Sequence, residues 1–265
     1  MITHLKSLET EKDLLVSGIA AKNQLLRDLL SDFNAKNYLS GAISVVSVEP
    51  NQVIYELGDK IELVYFPLDS VFSGLAIMED GTTVETSMIG RESLIGISAI
   101  LGGGLSRQWI WVSIGGLAIQ LDAGVLDRVF VHSENALKLL LKCYRELVTQ
   151  ISQRCVCNTR HTILERLCCW LLMIHDRVEE DNLRLTQEMI ASRIGARRAG
   201  ITVAAGMLQE RHAIEYRRGQ LHIRSRELLE QAACECYNIM RTPFNSVSTT
   251  SFSHYKQTND LRLRR

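Results

Sequence analysis

Nine arginines and no lysine fall between Arg184 and Arg226 of this 265-residue chain, against three acids, Glu188, Glu210 and Glu215. That segment therefore carries +6. Residues 1 to 183 hold 16 basic and 23 acidic residues, or −7, and residues 227 to 265 hold 5 basic and 4 acidic, or +1, so the formal total of zero hides a segregation. A planar guanidinium fork pairs bidentately with phosphates and base edges, and an arginine-only cluster is the residue choice for that chemistry. Within it lies LTQEMIASRIGARRAGITVAAGMLQERHAI, Leu185 to Ile214. Its helical spacing is interrupted by Gly195, followed at once by Arg197 and Arg198. An interior glycine costs a helix about 1 kcal/mol relative to alanine, so the spacing predicts helix, tight turn, helix.

Positions counted from Gln187 support this. Ile190, Ile194, Ala196, Ile201 and Ala204 form the apolar set that would pack both helices on a third. Ala191 is small where the two must touch, and Gly195 can take the positive φ that the turn needs. The outer face of the second helix is then Arg197, Arg198, Ala199, Thr202 and Val203, with Gln187 beside it. These are the side chains that would enter a major groove. The following AIEYRRGQLHIRS reads as two short strands around Arg218-Gly219, a wing whose Arg217 and Arg218 could lie on a phosphate backbone.

The other reactive residue types give weaker signals. All seven cysteines, Cys143, Cys155, Cys157, Cys168, Cys169, Cys234 and Cys236, lie in the second half, and their adjacent or C-x-C spacings match no zinc motif and no disulfide framework. No metal site is expected, and the thiols are read as core or surface groups, with thiol-based redox sensing as an alternative. Cys168 and Cys169, near His161 and His175, are the nucleophile candidates of an enzyme. They share an apolar helix side with Leu167, Leu171 and Leu172, which favours packing over catalysis. Gly102, Gly103 and Gly104 sit between strands and open no helix, so they make no phosphate-cradling loop. The expectation is a protein that is not an enzyme and holds no cofactor.

The elements that position these residues follow from periodicity. The first 40 residues read as helical, through Leu25, Leu26, Leu29, Leu30 and Phe33. From Ile43 to Asp122, short β-branched and aromatic segments are punctuated by Gly58-Asp59, Pro67, Asp80-Gly81, Gly90 and Gly115-Gly116, which predicts a barrel or sandwich of antiparallel strands. After it comes SENALKLLLKCYRELVTQISQRCV, where Leu137, Leu141, Tyr144, Val148, Ile151 and Cys155 alternate at spacings of 4 and 3. That is a heptad seam able to pair two copies of the helix, while Leu140 and Leu147 widen the stripe toward the chain's own domain. A further helix is read in HTILERLCCWLLMIHDRV, a turn in EEDN, and a single helix in RELLEQAACECYNIM. The Ser-, Thr- and Asn-rich end reads as a disordered tail. Three acids among the first 15 residues argue against a signal or transit peptide, and no apolar stretch is long enough to span a membrane, so the expected location is the cytoplasm. The expected division is 1–132, a β-barrel domain with N-terminal helices; 133–158, a dimerisation helix; 159–240, a winged helix-turn-helix; and 241–265, the tail. The fold class is α+β.

This order of elements resembles the Crp/Fnr superfamily of bacterial transcription regulators over about residues 23 to 240. The most specific parts are LTQEMIASRIGARRAGITVAAGMLQERHAIEYRRGQLHI and the barrel piece GRESLIGISAILGGGLSRQW. The resemblance implies a cyclic-nucleotide-binding-like sensor jelly roll and a homodimer binding a two-fold symmetric duplex DNA operator. RNA polymerase is a further candidate partner, and whether transcription is activated or repressed depends on operator position and polymerase contacts. The family's effector cassette corresponds to Gly96, Ile97, Ser98, Arg107 and Gln108. Arg107 matches the phosphate-binding arginine, but Ile97 stands where cyclic-nucleotide binders carry a glutamate on the ribose, and Gln108 replaces a serine. A ribose hydroxyl without its acceptor loses about 1 to 3 kcal/mol, so the effector is unknown and is not expected to be cyclic AMP. The iron–sulfur branch holds N-terminal cysteines, whereas the first cysteine here is Cys143. For haem, only His4 and His132 are present in that half. The recognition helix keeps one family arginine, at Arg198, and carries Ala199 and Val203 at the other two reading positions, which implies a different half-site. The alternative is a dimeric interaction protein with a degenerate sensor.

Overall fold

The computed structural model describes residues 18–178 and 180–241. The expected tail therefore lies, apart from Arg241, outside the described residues, as do His4 and the first 17 positions. The N-terminal helical reading resolves into two helices, α1 (Gln24–Ser31) and α2 (Phe33–Leu39), broken at Asp32. Asp32 caps the second helix by accepting the Ala35 N–H at 2.8 Å. Asn23 caps the first, accepting from Leu26 N–H at 2.9 Å, and its amide nitrogen donates to the carbonyls of Pro67 and Ser93, both at 2.9 Å, which pins α1 to the strands behind it.

Seven strands follow: β1 (Ser44–Val48), β2 (Val53–Tyr55), β3 (Leu63–Pro67), β4 (Val71–Ile77), β5 (Thr83–Ile89), β6 (Trp109–Ile114) and β7 (Gly116–Asp122). All pairings are antiparallel, as expected of a barrel or sandwich, and the strands form two sheets, of order β1-β7-β3 and β2-β6-β4-β5. Alternation of side chains across a strand divides the work. Phe72, Ile110 and Val112 join Val64, Phe66, Ile119 and Leu121 of the other sheet in one apolar core, together with α1, α2 and α4 (Ala123–His132). The outward face of the four-stranded sheet is unusually polar, with Ser73, Glu85 and Ser113 all buried.

What buries them is helical. α5 (Glu134–Arg160) runs 27 residues, about 40 Å at the standard rise, from an N-cap at Ser133. One flank, Ala136, Leu140, Gln150, Arg154 and Cys157, is buried. α6 (Ile163–Val178) follows and is apolar nearly all round, with Leu167, Trp170, Leu171 and Ile174 in the second core. Onto it pack α7 (Gln187–Ile194) and α8 (Arg198–Glu210), then a three-stranded sheet of order β8-β10-β9, made by β8 (Asn182–Arg184), β9 (Ile214–Arg217) and β10 (Gln220–Ile223). The sequence reading missed β8, which pairs Leu183 with Leu221 after the expected turn. It also read one C-terminal helix where there are two, α9 (Arg226–Ala232) and α10 (Cys236–Met240), separated by Ala233-Cys234-Glu235. Between Gly96 and Gly104 lies the short α3 (Ser98–Leu101).

Buried polar pins join the two halves. Glu85 on β5 meets Arg154 of α5 at 2.6 Å and accepts from Trp170 Nε1 at 3.0 Å and from Ser73 Oγ. Gln150 pairs with both backbone groups of Met88, at 2.7 and 3.1 Å, and Arg177 meets Glu92 at 2.7 Å. No helix among the described residues is long and apolar enough to cross a membrane.

Candidate nucleic-acid interface

α7 begins where Thr186 Oγ1 accepts the Met189 N–H at 3.1 Å. It ends at Gly195, which adopts the left-handed conformation, φ 62° and ψ 49°, as the turn required. Ala191 is buried at the contact of the pair, and the Ala196 N–H closes the turn on its carbonyl at 2.9 Å. Arg166 of α6 also donates to the last carbonyls of α7, at Ile194 and Gly195, a cap with no local sequence signal. α8 then approaches α6 so closely that a Cβ at Gly200 would stand 2.5 Å from Ile163 Cδ1. The second helix is thereby held by its inner face, through Ile201, Ala204, Ala205 and Leu208.

Its outer face is open. Arg197, Arg198, Ala199, Thr202 and Val203 are all exposed, Val203 to 66%. Arg197 occupies the N-cap position and provides no side-chain cap, and the first turn contains no acid. Uncapped N–H donors, the positive end of the helix dipole and two guanidinium groups thus coincide, which suits phosphate and would be unfavourable without it. Half-buried Gln187 accepts from Thr202 Oγ1 at 2.8 Å, joining the two helices at this surface. Beside them, Arg217 and Arg218 are exposed on the wing. The β9–β10 hairpin turns through Arg218 and Gly219, both with positive φ, 50° and 79°, the pattern of a two-residue hairpin loop. Tyr216 anchors the wing by donating its hydroxyl to Leu185 O at 2.7 Å, while its N–H donates to Gln209 Oε1 at 2.9 Å. Burial raises its phenol above the usual range, so it remains a donor.

The structure also sorts the nine arginines. Arg193 is buried, with its guanidinium 5.9 Å from the Trp111 ring centroid, and desolvation lowers its pKa. Arg224 pairs with Glu215 at 2.6 Å, and Arg226 with Asp176 and Glu230 at 2.6 and 2.8 Å. Three of the nine therefore serve the fold. Exposed Arg184, Arg197, Arg198, Arg211, Arg217 and Arg218 carry the surface charge.

In the β-domain, the cassette residues separate. Arg107 is exposed, whereas Gln108 Oε1 accepts from Thr86 Oγ1 at 3.1 Å and its amide lies against Gly74. Gly96 closes on Tyr55, Val64 and Ile61, and Ile97 and Ser98 are half-buried at the start of α3. Tyr55, Tyr65 and Phe72 form a chain of rings, with successive centroids 6.3 Å apart. On α5, Leu137, Leu141, Tyr144 and Val148 are 38 to 49% exposed, Cys155 is exposed and Ile151 half-buried, so the expected seam lies on the side away from the chain's own core. Cys168 and Cys169 are buried in the second core, and burial pushes the Cys168 thiol up to about 12, well away from a nucleophile at neutral pH.

Comparison with known proteins agrees with this anatomy. Residues 165–232 match the Crp-like helix-turn-helix domain family. Among solved structures, FixK2 from Bradyrhizobium japonicum is similar over 72% of this chain and 98% of its own, with a TM-score of 0.62 and 14% identity. The c-di-GMP-responsive global regulator CLP of Xanthomonas campestris is similar over 73% and 100%, with a TM-score of 0.59 and 12% identity. A variant of CooA from Carboxydothermus hydrogenoformans covers 77% and 93%, with a TM-score of 0.54 and 12% identity. No curated protein sequence matches the chain. The fold sets a Crp-like helix-turn-helix domain behind an antiparallel β-domain. The C-terminal segment, residues 165–232, belongs to the Crp-like helix-turn-helix domain family, and the fold of the chain is similar to that of these solved structures.

Proposed function

We propose that the protein is a cytoplasmic, non-enzymatic, homodimeric reader of two-fold symmetric duplex DNA, in which α8 enters the major groove and the wing lies on the backbone. The observation that carries this reading is the exposed set Arg198, Ala199, Thr202 and Val203 on a helix whose other face is fully packed. Arg198 offers a bidentate contact to guanine, and Ala199 and Val203 offer apolar contact to a thymine methyl. Arg197, Arg217 and Arg218 supply phosphate contacts, and Gln187 holds Thr202 in place. The exposed seam of α5 supports dimerisation, which sets two reading helices about one helical turn of DNA apart.

Cyclic AMP does not fit the sensor domain, whose effector is unknown. Ile97 provides no acceptor for a ribose hydroxyl, and Gln108 is already engaged with Thr86. Selecting bound sites from a random duplex pool at two salt concentrations tests the whole reading. A palindromic motif with half-sites about 10 bp apart is the expected result. Salt-sensitive bulk binding with no motif would instead favour reading heads that have lost specificity.

A further inference from the structure

Three thiols and an imidazole, far apart in the chain, meet where the last turn of α5 packs against α10. Cys157 and His161 stand one helical turn apart at the end of α5, and Cys234 and Cys236 flank Glu235 at the break between α9 and α10. Their ligand atoms all lie within 4.8 Å of one another. Cys157 Sγ is 3.5 Å from Cys234 Sγ, and Cys236 Sγ is 3.4 Å from His161 Nδ1. The three cysteines are buried and His161 is half-buried.

Around a tetrahedral zinc ion with bonds of about 2.3 Å to sulfur and 2.0 to 2.1 Å to nitrogen, neighbouring ligand atoms are about 3.8 Å apart for two sulfurs and about 3.5 Å for sulfur and nitrogen. The Cys157–Cys234 and Cys236–His161 separations match those edges to within a few tenths of an ångström, and the four ligand atoms all stay within 4.8 Å of one another. We infer that Cys157, His161, Cys234 and Cys236 form a structural site for a single zinc-type divalent ion, bound by three thiolates and Nδ1.

The surroundings fit such an ion. Gln153 Nε2 donates to Cys236 Sγ at 3.0 Å, and Glu235 stands 3.4 Å from His161 Nε2, the carboxylate partner that orients a ligating imidazole. Three thiolates and one divalent cation leave a net charge of −1. The half-buried guanidinium of Arg166 stands close enough to feel the charge of Cys157 and Cys234, and its buried Nε has no hydrogen-bond partner among the described residues. Cys169 of α6, also buried, lies in the same core as Cys157, Cys234 and Cys236.

Thiolate-rich sets select zinc, copper(I) or iron–sulfur clusters, and four ligand atoms within 4.8 Å converge on one ion, whereas a cluster distributes its thiolates over separate irons. A Cys157–Cys234 disulfide would need the sulfurs to close from 3.5 Å to about 2.05 Å and would require an oxidant. Metal entry needs no electron transfer. The ion displaces the thiol protons to solvent, and bonds to sulfur and nitrogen replace them. The ion would tie the end of the long helix to the far end of the DNA-binding domain, across 77 residues of chain.

The experiment is cobalt(II) titration of the reduced, metal-free, full-length protein. The expected result is one equivalent per chain, with thiolate charge-transfer and intense visible bands of tetrahedral cobalt that zinc bleaches. C155S keeps this spectrum and C234S/C236S loses it. If the double variant fails to fold, alkylation of the wild type decides: zinc shields Cys157, Cys234 and Cys236, while exposed Cys155 still reacts. Absence of the tetrahedral spectrum in reduced, folded protein overturns the assignment. So does its persistence in folded C234S/C236S, or alkylation of the three cysteines unaffected by zinc.

Discussion

Arg198 and Arg217 are both exposed arginines of the same surface, and the proposed docking gives them different work. Arg198 stands at the first position of a helix, where a cation opposes the dipole and costs about 0.3 to 1 kcal/mol unless an anion or base edge compensates. Arg198→Ala is expected to lose about 1 to 3 kcal/mol of operator binding and relax discrimination at one base pair, as read by a panel of single-base operator variants. Unchanged discrimination would remove it from the base-reading set. Arg217 ends β9 beside the hairpin turn, where only phosphate is in reach in the proposed docking. Arg217→Ala should weaken every sequence alike and lower the salt slope of binding by about 1, measured by titrations at several salt concentrations.

At the scale of elements, α5 has two flanks with separate tasks. Leu140 and Gln150 hold it to the β-domain, while Leu141 and Tyr144 remain 49% and 44% exposed on the other side. Charges introduced there should leave the chain's own core intact. L141E/Y144E is expected to sediment as a monomer with unchanged helix content, and to lose about 100-fold or more in affinity for a palindromic operator, because one half-site can no longer hold the other in reach. A variant that sediments as a dimer would move the interface elsewhere. The helix-turn-helix itself was legible at this scale because its signals are local: Thr186 as cap, Gly195 at positive φ, apolar residues at fixed offsets. β8 was not legible, since three residues pair only because β10 is already there to receive them.

For the whole molecule, Glu85 is the hub, joining β5 to Arg154 of α5 and Trp170 of α6. Removing one partner of a buried pair leaves the other charge unsolvated. Arg154→Met is therefore expected to cost about 3 to 5 kcal/mol in chemical denaturation, and E85Q/R154M to recover part of it, because the neutral amide can accept from Trp170 through its oxygen and donate to Ser73 Oγ through its nitrogen. Equal stabilities of the two variants would show that Glu85 is solvated or otherwise paired. The pins at Glu85, Gln150 and Arg177 are also the material links through which a change in the β-domain would reach the DNA-binding half.

Periodicity and turn chemistry by themselves determined the strands of the β-domain, the long helix, the helix-turn-helix and the wing hairpin, because each depends on residues within a few positions of one another. They also marked the exposed face of α8, since a packed helix leaves only one side open. Tertiary structure alone decided which arginines were available: Arg193 met Trp111, and Arg226 met Asp176, across distances that no local pattern encodes. It also split the last helix at Cys234, and so set Cys234 and Cys236 beside Cys157 and His161. Chain spacing excluded a metal motif there, but a coordination sphere depends on separation in space, and that was fixed by the packing of α10 on α5.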